Sequence, residues 1–303
     1  MKLLNCTKIT KTSIHTIFNK ADYYLHNDDK IHDDCKGKIL CNIFSESNSY
    51  TMLSFETAMY KLGGQVINTI TSSHDNVYDK VKLLEQLGDI ITLQHNDSTL
   101  QYEISKIIKK AFINAGNGIG YGNGEHPTQA LLDLYTISKY FNIEEEPITI
   151  LLVGDITKSQ TIHSLETLLK LYVNVKVEYY SYSQPNKNDK RHYINDYTNI
   201  HLYDVVYITP YPLKQIDIKY ILSNDIVGRM KKNAIIMNPF PRMDELPCYN
   251  DTNERSVYFK QFNYGVYVRM SILYCLLFKT LDNTFDTLEY NYQNQLLSEI
   301  HCW

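Results

Sequence analysis

Gly37-Lys38-Ile39-Leu40-Cys41-Asn42-Ile43-Phe44, then Ser54-Phe55-Glu56-Thr57-Ala58-Met59-Tyr60-Lys61-Leu62-Gly63-Gly64, then Gln65-Val66-Ile67-Asn68-Thr69-Ile70: these three runs decide the fold. The first is apolar at successive positions, which predicts a strand buried on both faces, as in a parallel sheet. The second has helical spacing and ends at glycine, where a chain can turn into the left-handed region. The third reads as another strand. A polar loop, residues 45–53, separates the first strand from the helix.

The same alternation extends outward in both directions. Ile14, Ile17, Phe18, Ala21 and Tyr24 lie at helical spacing behind a Thr/Ser cap signal, which predicts a helix over residues 10–25. A helix over 75–87 and strands over 89–93 and 111–116 follow. Pro127 then sits in the first turn of a helix running to about residue 140. Glu144-Glu145-Glu146-Pro147 marks a boundary. Beyond it, strands are expected over 148–153, 175–180, 203–209 and 234–237, with helices over 161–172, 261–278 and 285–300. Strands alternating with helices on both sides of that boundary predict an α/β protein with two parallel-sheet domains.

A chain of 303 residues suits two domains. It is 44% hydrophobic and 21% charged, an ordinary globular composition, and its net charge of −4 gives no basic surface for nucleic acid. The stretch 266–278 is interrupted by Arg269 and too short for a membrane span, and the polar start does not read as a signal peptide. Six scattered cysteines (6, 35, 41, 248, 275 and 302) form no CxxC pair and no zinc pattern. They read as reduced thiols, so a cytoplasmic protein with no metal and no cofactor is expected.

Three segments carry candidate chemistry. Gly116, Gly118, Gly120, Gly122 and Gly124 alternate with other residues but never spell GxGxxG, so a loop with an insertion is expected there, not a dinucleotide site. His126-Pro127-Thr128-Gln129 starts a helix, where His126 and Gln129 can face a ligand near the positive end of the dipole. The loop before residue 54 could cradle an anion through its N–H groups, although an N-capping loop reads as well.

Taken together, Leu53-Ser54-Phe55-Glu56 with Ala58, Leu62-Gly63-Gly64, Ile113-Asn114-Ala115-Gly116, His126-Pro127-Thr128-Gln129 through Leu134, Val153-Gly154-Asp155, His163-Ser164-Leu165, Pro239-Phe240-Pro241-Arg242-Met243-Asp244-Glu245 and Tyr258 through Met270 resemble aspartate carbamoyltransferase, in order along nearly the whole chain. Ornithine carbamoyltransferases share the architecture, but Asn238-Pro239-Phe240-Pro241 and Val268-Arg269-Met270 look like the aspartate enzyme. The resemblance implies a carbamoyl-phosphate-type domain over residues 1–140 and an aspartate-type domain over 141–285. Interdomain helices would join them, with a C-terminal helix over 286–303 packing back on the first. It also implies a homotrimer, or a heterotrimer with an active carbamoyltransferase chain.

At the positions that would hold substrate, the match departs from the family pattern. The family's phosphate loop, S-T-R-T-R, aligns with Asn48-Ser49-Tyr50-Thr51-Met52, without either arginine. Further expected arginines fall on Gln94, Gln160 and Pro210. The segment between Gly64 and Asp79 looks shorter than usual, which would remove a loop that reaches the neighbouring subunit. Ser49, Thr51, His126, Gln129, Phe240 and Pro241 match the family, with Glu46 at the head of the loop.

No arginine occurs before Arg191, and lysines outnumber arginines 25 to 5. A lysine-favouring drift would have left lysine at the lost positions; Tyr50, Met52, Gln94, Gln160 and Pro210 carry no charge. Lys38, Lys61 and Lys80 are the cationic candidates in the first domain. The expectation is therefore a catalytically inactive relative, in which Thr51 and His126 are vestigial, with a structural or regulatory role. The competing expectation is an active transferase of another specificity, with Tyr50, Gln94 and Gln160 lining a neutral pocket.

Overall fold

The computed structural model describes residues 1–45, 49–72, 75–118, 124–184, 188–211 and 217–282. Glu46, Asn48, Gly120, Gly122, Pro212 and the expected helix over 286–303 lie outside the described residues.

The first part of the chain runs β1 (Lys2–Leu3), α1 (Lys11–His26), β2 (Ile39–Phe44), α2 (Tyr50–Lys61), β3 (Gln65–Ile70), α3 (Val77–Leu87), β4 (Ile90–His95), α4 (Leu100–Ile107), β5 (Ala111–Asn117) and α5 (Pro127–Ser138). The remainder runs β6 (Ile148–Gly154), α6 (Gln160–Leu169), β7 (Val175–Ser181), β8 (Val205–Ile208), α7 (Asn224–Gly228), β9 (Ile235–Met237) and α8 (Tyr258–Phe278). Two parallel sheets result, ordered β1-β5-β4-β2-β3 and β7-β6-β8-β9. The strands β2, β5 and β6 are buried along almost their whole length, in keeping with their mainly apolar runs.

Helix ends follow local chemistry. The Thr10 hydroxyl oxygen accepts from the Ser13 N–H at 3.1 Å and starts α1. At the end of α2, Gly63 takes φ +77°; its N–H donates to the Tyr60 carbonyl at 3.0 Å and that of Gly64 to the Met59 carbonyl at 3.0 Å. That is a Schellman turn, and it aims the chain straight into β3.

Two helices join the halves. Every residue of α5 from Pro127 to Ile137 is buried. α5 packs on α6 and α8, and α8 also packs on α1 and α2. One continuous apolar core therefore holds Leu40, Phe44 and Ile113 of the first sheet, Ile150, Leu152 and Tyr207 of the second, and Leu131, Leu134, Val268 and Leu273 between them.

The structure departs from the sequence reading in a few places. α2 begins at Tyr50, four residues before the expected start, with the Leu53 N–H bonded to the Ser49 carbonyl at 3.1 Å. The polar residues 49–51 had read as loop, but they form its exposed first turn. β1 is two residues long and was not expected; it exists through pairing with β5, Lys2 against Phe112 and Leu3 against Ile113. α4 and α7 were not expected either, and α8 starts at Tyr258, three residues early.

Candidate functional site

The strands of both sheets end around one cavity of about 1220 Å³. Ligand sites in open parallel sheets lie beyond the carboxyl ends of strands, where the loops fan apart. From the first sheet come Ser45, after β2, and Gln94 and Asn96, at and after the end of β4. Ser49, Tyr50 and Thr51 at the start of α2, and His126 and Gln129 at the start of α5, complete that side. The second sheet contributes Asp155, Lys158 and Gln160 after β6, Tyr182 and Ser183 after β7, Thr209, Pro210 and Tyr211 after β8, and 238–241 after β9. Gln261, Phe262 and Arg269 of α8 complete the lining.

The structure thus brings Ser49, Thr51, His126, Gln129, Phe240 and Pro241 to one cavity. It also brings Tyr50, Gln94, Gln160 and Pro210 there. Met52 is the exception. One helical step turns it some 100° from Thr51, and it is 5% exposed in the apolar core, so it is no ligand contact. The lysines considered from sequence do not line the cavity: Lys38 pairs with Asp89, Lys61 with Asp28 and Lys80 with Asp75.

Among the described residues, the cations that line it are Lys158 and Arg269. Arg269 lies seven residues after Phe262 on α8. Its Nη1 donates to Ser54 Oγ at 2.8 Å, and the guanidinium lies 5.1 Å from the Phe55 ring centre. It is 2% exposed, and its Nε–H has no partner among the described residues. Burial pulls its pKa down to about 10, so it stays charged at neutral pH. Lys158 gave no signal beyond its place three residues after Asp155 at the end of a strand.

His126 caps α5. Its Nδ1 accepts the Gln129 N–H at 3.3 Å, which leaves the neutral ring's proton on Nε2. Its own N–H donates to Ser164 Oγ of α6 at 2.8 Å. Burial first, and then the charge of Arg269, lower the His126 pKa to about 3, so it is a neutral donor. Gly116, φ +120°, leaves the room for it: a Cβ there would stand 3.0 Å from the ring and 3.6 Å from Gln160 Oε1. That Gln160 oxygen is buried and unpartnered.

Beneath the cavity, fully buried Asp133 gathers three donors. Oδ1 accepts from Gln129 Nε2 at 2.9 Å and Gln261 Nε2 at 2.6 Å, and Oδ2 accepts from the Tyr207 hydroxyl at 2.8 Å. Burial outweighs these bonds and raises its pKa to about 7. Gln261 Oε1 in turn accepts the Asn238 N–H at 2.9 Å, and Asn238 Oδ1 accepts the Phe240 N–H at 2.8 Å. This chain of bonds sets the Asn238–Pro241 turn, with its cis Phe240–Pro241 bond, against α5 and α8.

At the cavity mouth, Tyr50 packs edge-on against Phe240 (6.2 Å between ring centres) and Phe262 (6.0 Å). Among the described residues no group of His, Cys, Asp and Glu could hold a metal ion.

Residues 1–139 match the family model described as the carbamoyl-P binding domain of aspartate/ornithine carbamoyltransferase. The chain is 32% identical over 303 residues to the aspartate carbamoyltransferase catalytic subunit of Picrophilus torridus, covering 91% of this chain and 97% of that protein. It is 34% identical to the chloroplastic aspartate carbamoyltransferase of Arabidopsis thaliana, covering 80% and 68%. In structure it is similar to the Trypanosoma cruzi aspartate transcarbamoylase in complex with N-(phosphonacetyl)-L-aspartic acid, with TM-score 0.81, 28% identity, and 91% and 94% of the two chains covered.

Proposed function

The chain belongs to the aspartate/ornithine carbamoyltransferase family, and from that premise we propose that it is a member of this pyrimidine-biosynthesis family that does not itself make carbamoyl aspartate. One observation carries the reading: Tyr50, Gln94, Gln160 and Pro210 all line the cavity where two anionic substrates would be held, and none bears a positive charge. Each charge-assisted hydrogen bond to a phosphate or carboxylate contributes roughly 1.5–3 kcal/mol. Three fewer such bonds would cost about 4–9 kcal/mol, on the order of 10³ to 10⁶ in rate or affinity. Carbamoyl transfer relies on alignment and on stabilising charge in the transition state, so little else could compensate.

The role is then structural or regulatory. Residues 1–140 form the carbamoyl-phosphate-type domain and 141–285 the aspartate-type domain. The chain works in the cytoplasm as a homotrimer, or in a trimer with an active carbamoyltransferase chain; a monomer in light scattering would argue against either assembly. Among the described residues no helix is long and apolar enough to cross a membrane.

The test is carbamoyl-aspartate formation by the pure protein. The expected result is no turnover above background, whereas turnover of about 1–10³ per second would overturn the reading. A second reading, a transferase of changed specificity, is favoured by the position of Thr51, His126 and Gln129 on the cavity wall, where they could still polarise a carbonyl. Strong thermal stabilisation by a neutral or singly charged ligand, with none by carbamoyl phosphate and aspartate, would favour it.

A further inference from the structure

The mouth of the cavity is an aromatic corner. The ring centres of Tyr50, Phe240 and Phe262 stand 6.0, 6.2 and 6.3 Å apart, a nearly equilateral triangle. Their planes meet at 62°, 82° and 89°, close to mutually perpendicular. Tyr50 is 51% and Phe262 37% exposed, so the rings leave surface uncovered. Among the described residues the protein's own cations lie over other rings: Arg242, for example, faces Tyr258 and Phe259. A cation seated over such a triangle can stand about 4–5 Å from all three centres, within the roughly 6 Å at which ring faces attract positive charge.

The second observation is Arg269, which lines the same cavity, is almost wholly buried, and keeps an unpartnered Nε–H. Among the described residues it makes no salt bridge, and the carboxyl whose charge it feels, Asp133, is itself buried and occupied by three donors, so the guanidinium is held out of water without a bonded counter-ion. Its place relative to the corner follows from helix geometry. Tyr50 lies one turn before Ser54, the residue bonded to Arg269, which is about 6 Å along α2. Phe262 lies two turns before Arg269, about 10 Å along α8.

We propose that the cavity takes a zwitterion of the ω-ammonium carboxylate class, with its ammonium or alkylated ammonium head in the corner of Tyr50, Phe240 and Phe262 and its carboxylate on Arg269. This rests on the preceding reading that the cavity does not clasp two dianions. Asp155 and the unpartnered Gln160 Oε1 supply negative character to the same cavity, and among the described residues Lys158 is the other cation lining it. A head group bearing a carboxylate of its own, as aspartate does, fits an aromatic corner poorly.

The probe is the trimethylammonium derivative of hexanoate, whose charges lie within that span, measured by calorimetry on the full chain. It is compared with the isostere whose head is uncharged, a quaternary carbon replacing the nitrogen while the carboxylate is kept, and with tetramethylammonium, which lacks the carboxylate. The betaine should bind at least about tenfold tighter than either. Tyr50→Leu and Phe262→Leu, both at exposed positions, should each weaken it about tenfold while leaving the isostere unchanged. Arg269→Gln should erase its advantage over tetramethylammonium. Equal binding of betaine and isostere, or full affinity in both ring variants, would overturn the proposal. The outcome is separable from that of the activity assay: turnover of aspartate sinks the earlier reading, whereas an inactive chain indifferent to the betaine sinks only this one.

Discussion

At the residue scale, His126 and Asp133 are buried groups with opposite displacements. His126 is lowered from 6.5 to about 3, so between those values the unfolded chain holds a proton that the folded one does not. Stability from this group therefore rises with pH, by about 1.4 kcal/mol per unit. Asp133 is raised from 3.8 to about 7, so the folded chain holds the extra proton and stability falls with rising pH across that window. Between about pH 4 and 6.5 the two slopes cancel. Asp133→Asn should therefore leave a stability that climbs from pH 4 to 6.5, since an amide can still accept from both glutamines and donate to Tyr207. His126→Gln should show the reverse slope. Urea midpoints across that range decide it; parallel flat profiles in both variants would mean that these two groups do not set the balance. The site was legible from sequence where residue type and family position agreed, as at His126, Gln129 and Phe240. Arg269 and Lys158 were not, because a cation's worth depends on what it faces: Arg269 keeps an unpartnered Nε–H, a fact that only packing reveals. Met52 misled because a loop alignment ignores helical rotation, and that rotation points it into the core.

At the element scale, the α2–β3 junction shows how tightly a turn can be specified. Gly63 is left-handed, and a Cβ there would come within 2.7 Å of the His32 carbonyl oxygen. Gly63→Ala should lower stability by about 2 kcal/mol or more, from the unfavourable φ plus that clash. Gly37 is also left-handed, at φ +76°, but a Cβ there meets nothing within 4 Å. Gly37→Ala should therefore cost only about 1 kcal/mol. Thermal melts of the two variants separate backbone preference from crowding, and equal losses would refute the distinction. Glycines at helix ends and apolar runs in β2 and β6 were readable because their causes are local. β1 was not: two residues become a strand only because β5, more than a hundred positions later, offers an edge. α4 has eight residues, and two of its polar ones, Gln101 and Ser105, face the core, which leaves no apolar period to read.

At the scale of the whole molecule, the two sheets share one apolar core through α5 and α8. Equilibrium unfolding in urea should accordingly give coincident transitions by far-ultraviolet and tyrosine near-ultraviolet circular dichroism. Two separated steps would mean that the halves are energetically independent. The course of α8 carries a mechanical corollary. Its first turn lies under the Asn238–Pro241 corner, its middle anchors α2 through Arg269, and, two residues on, it is bonded to α1 through Ser271 Oγ and the Ile17 carbonyl. A single rod fastened at three stations resists bending, so the lobes are expected to slide or roll by small amounts along it, and a wide clamshell gape would require at least one fastening to let go.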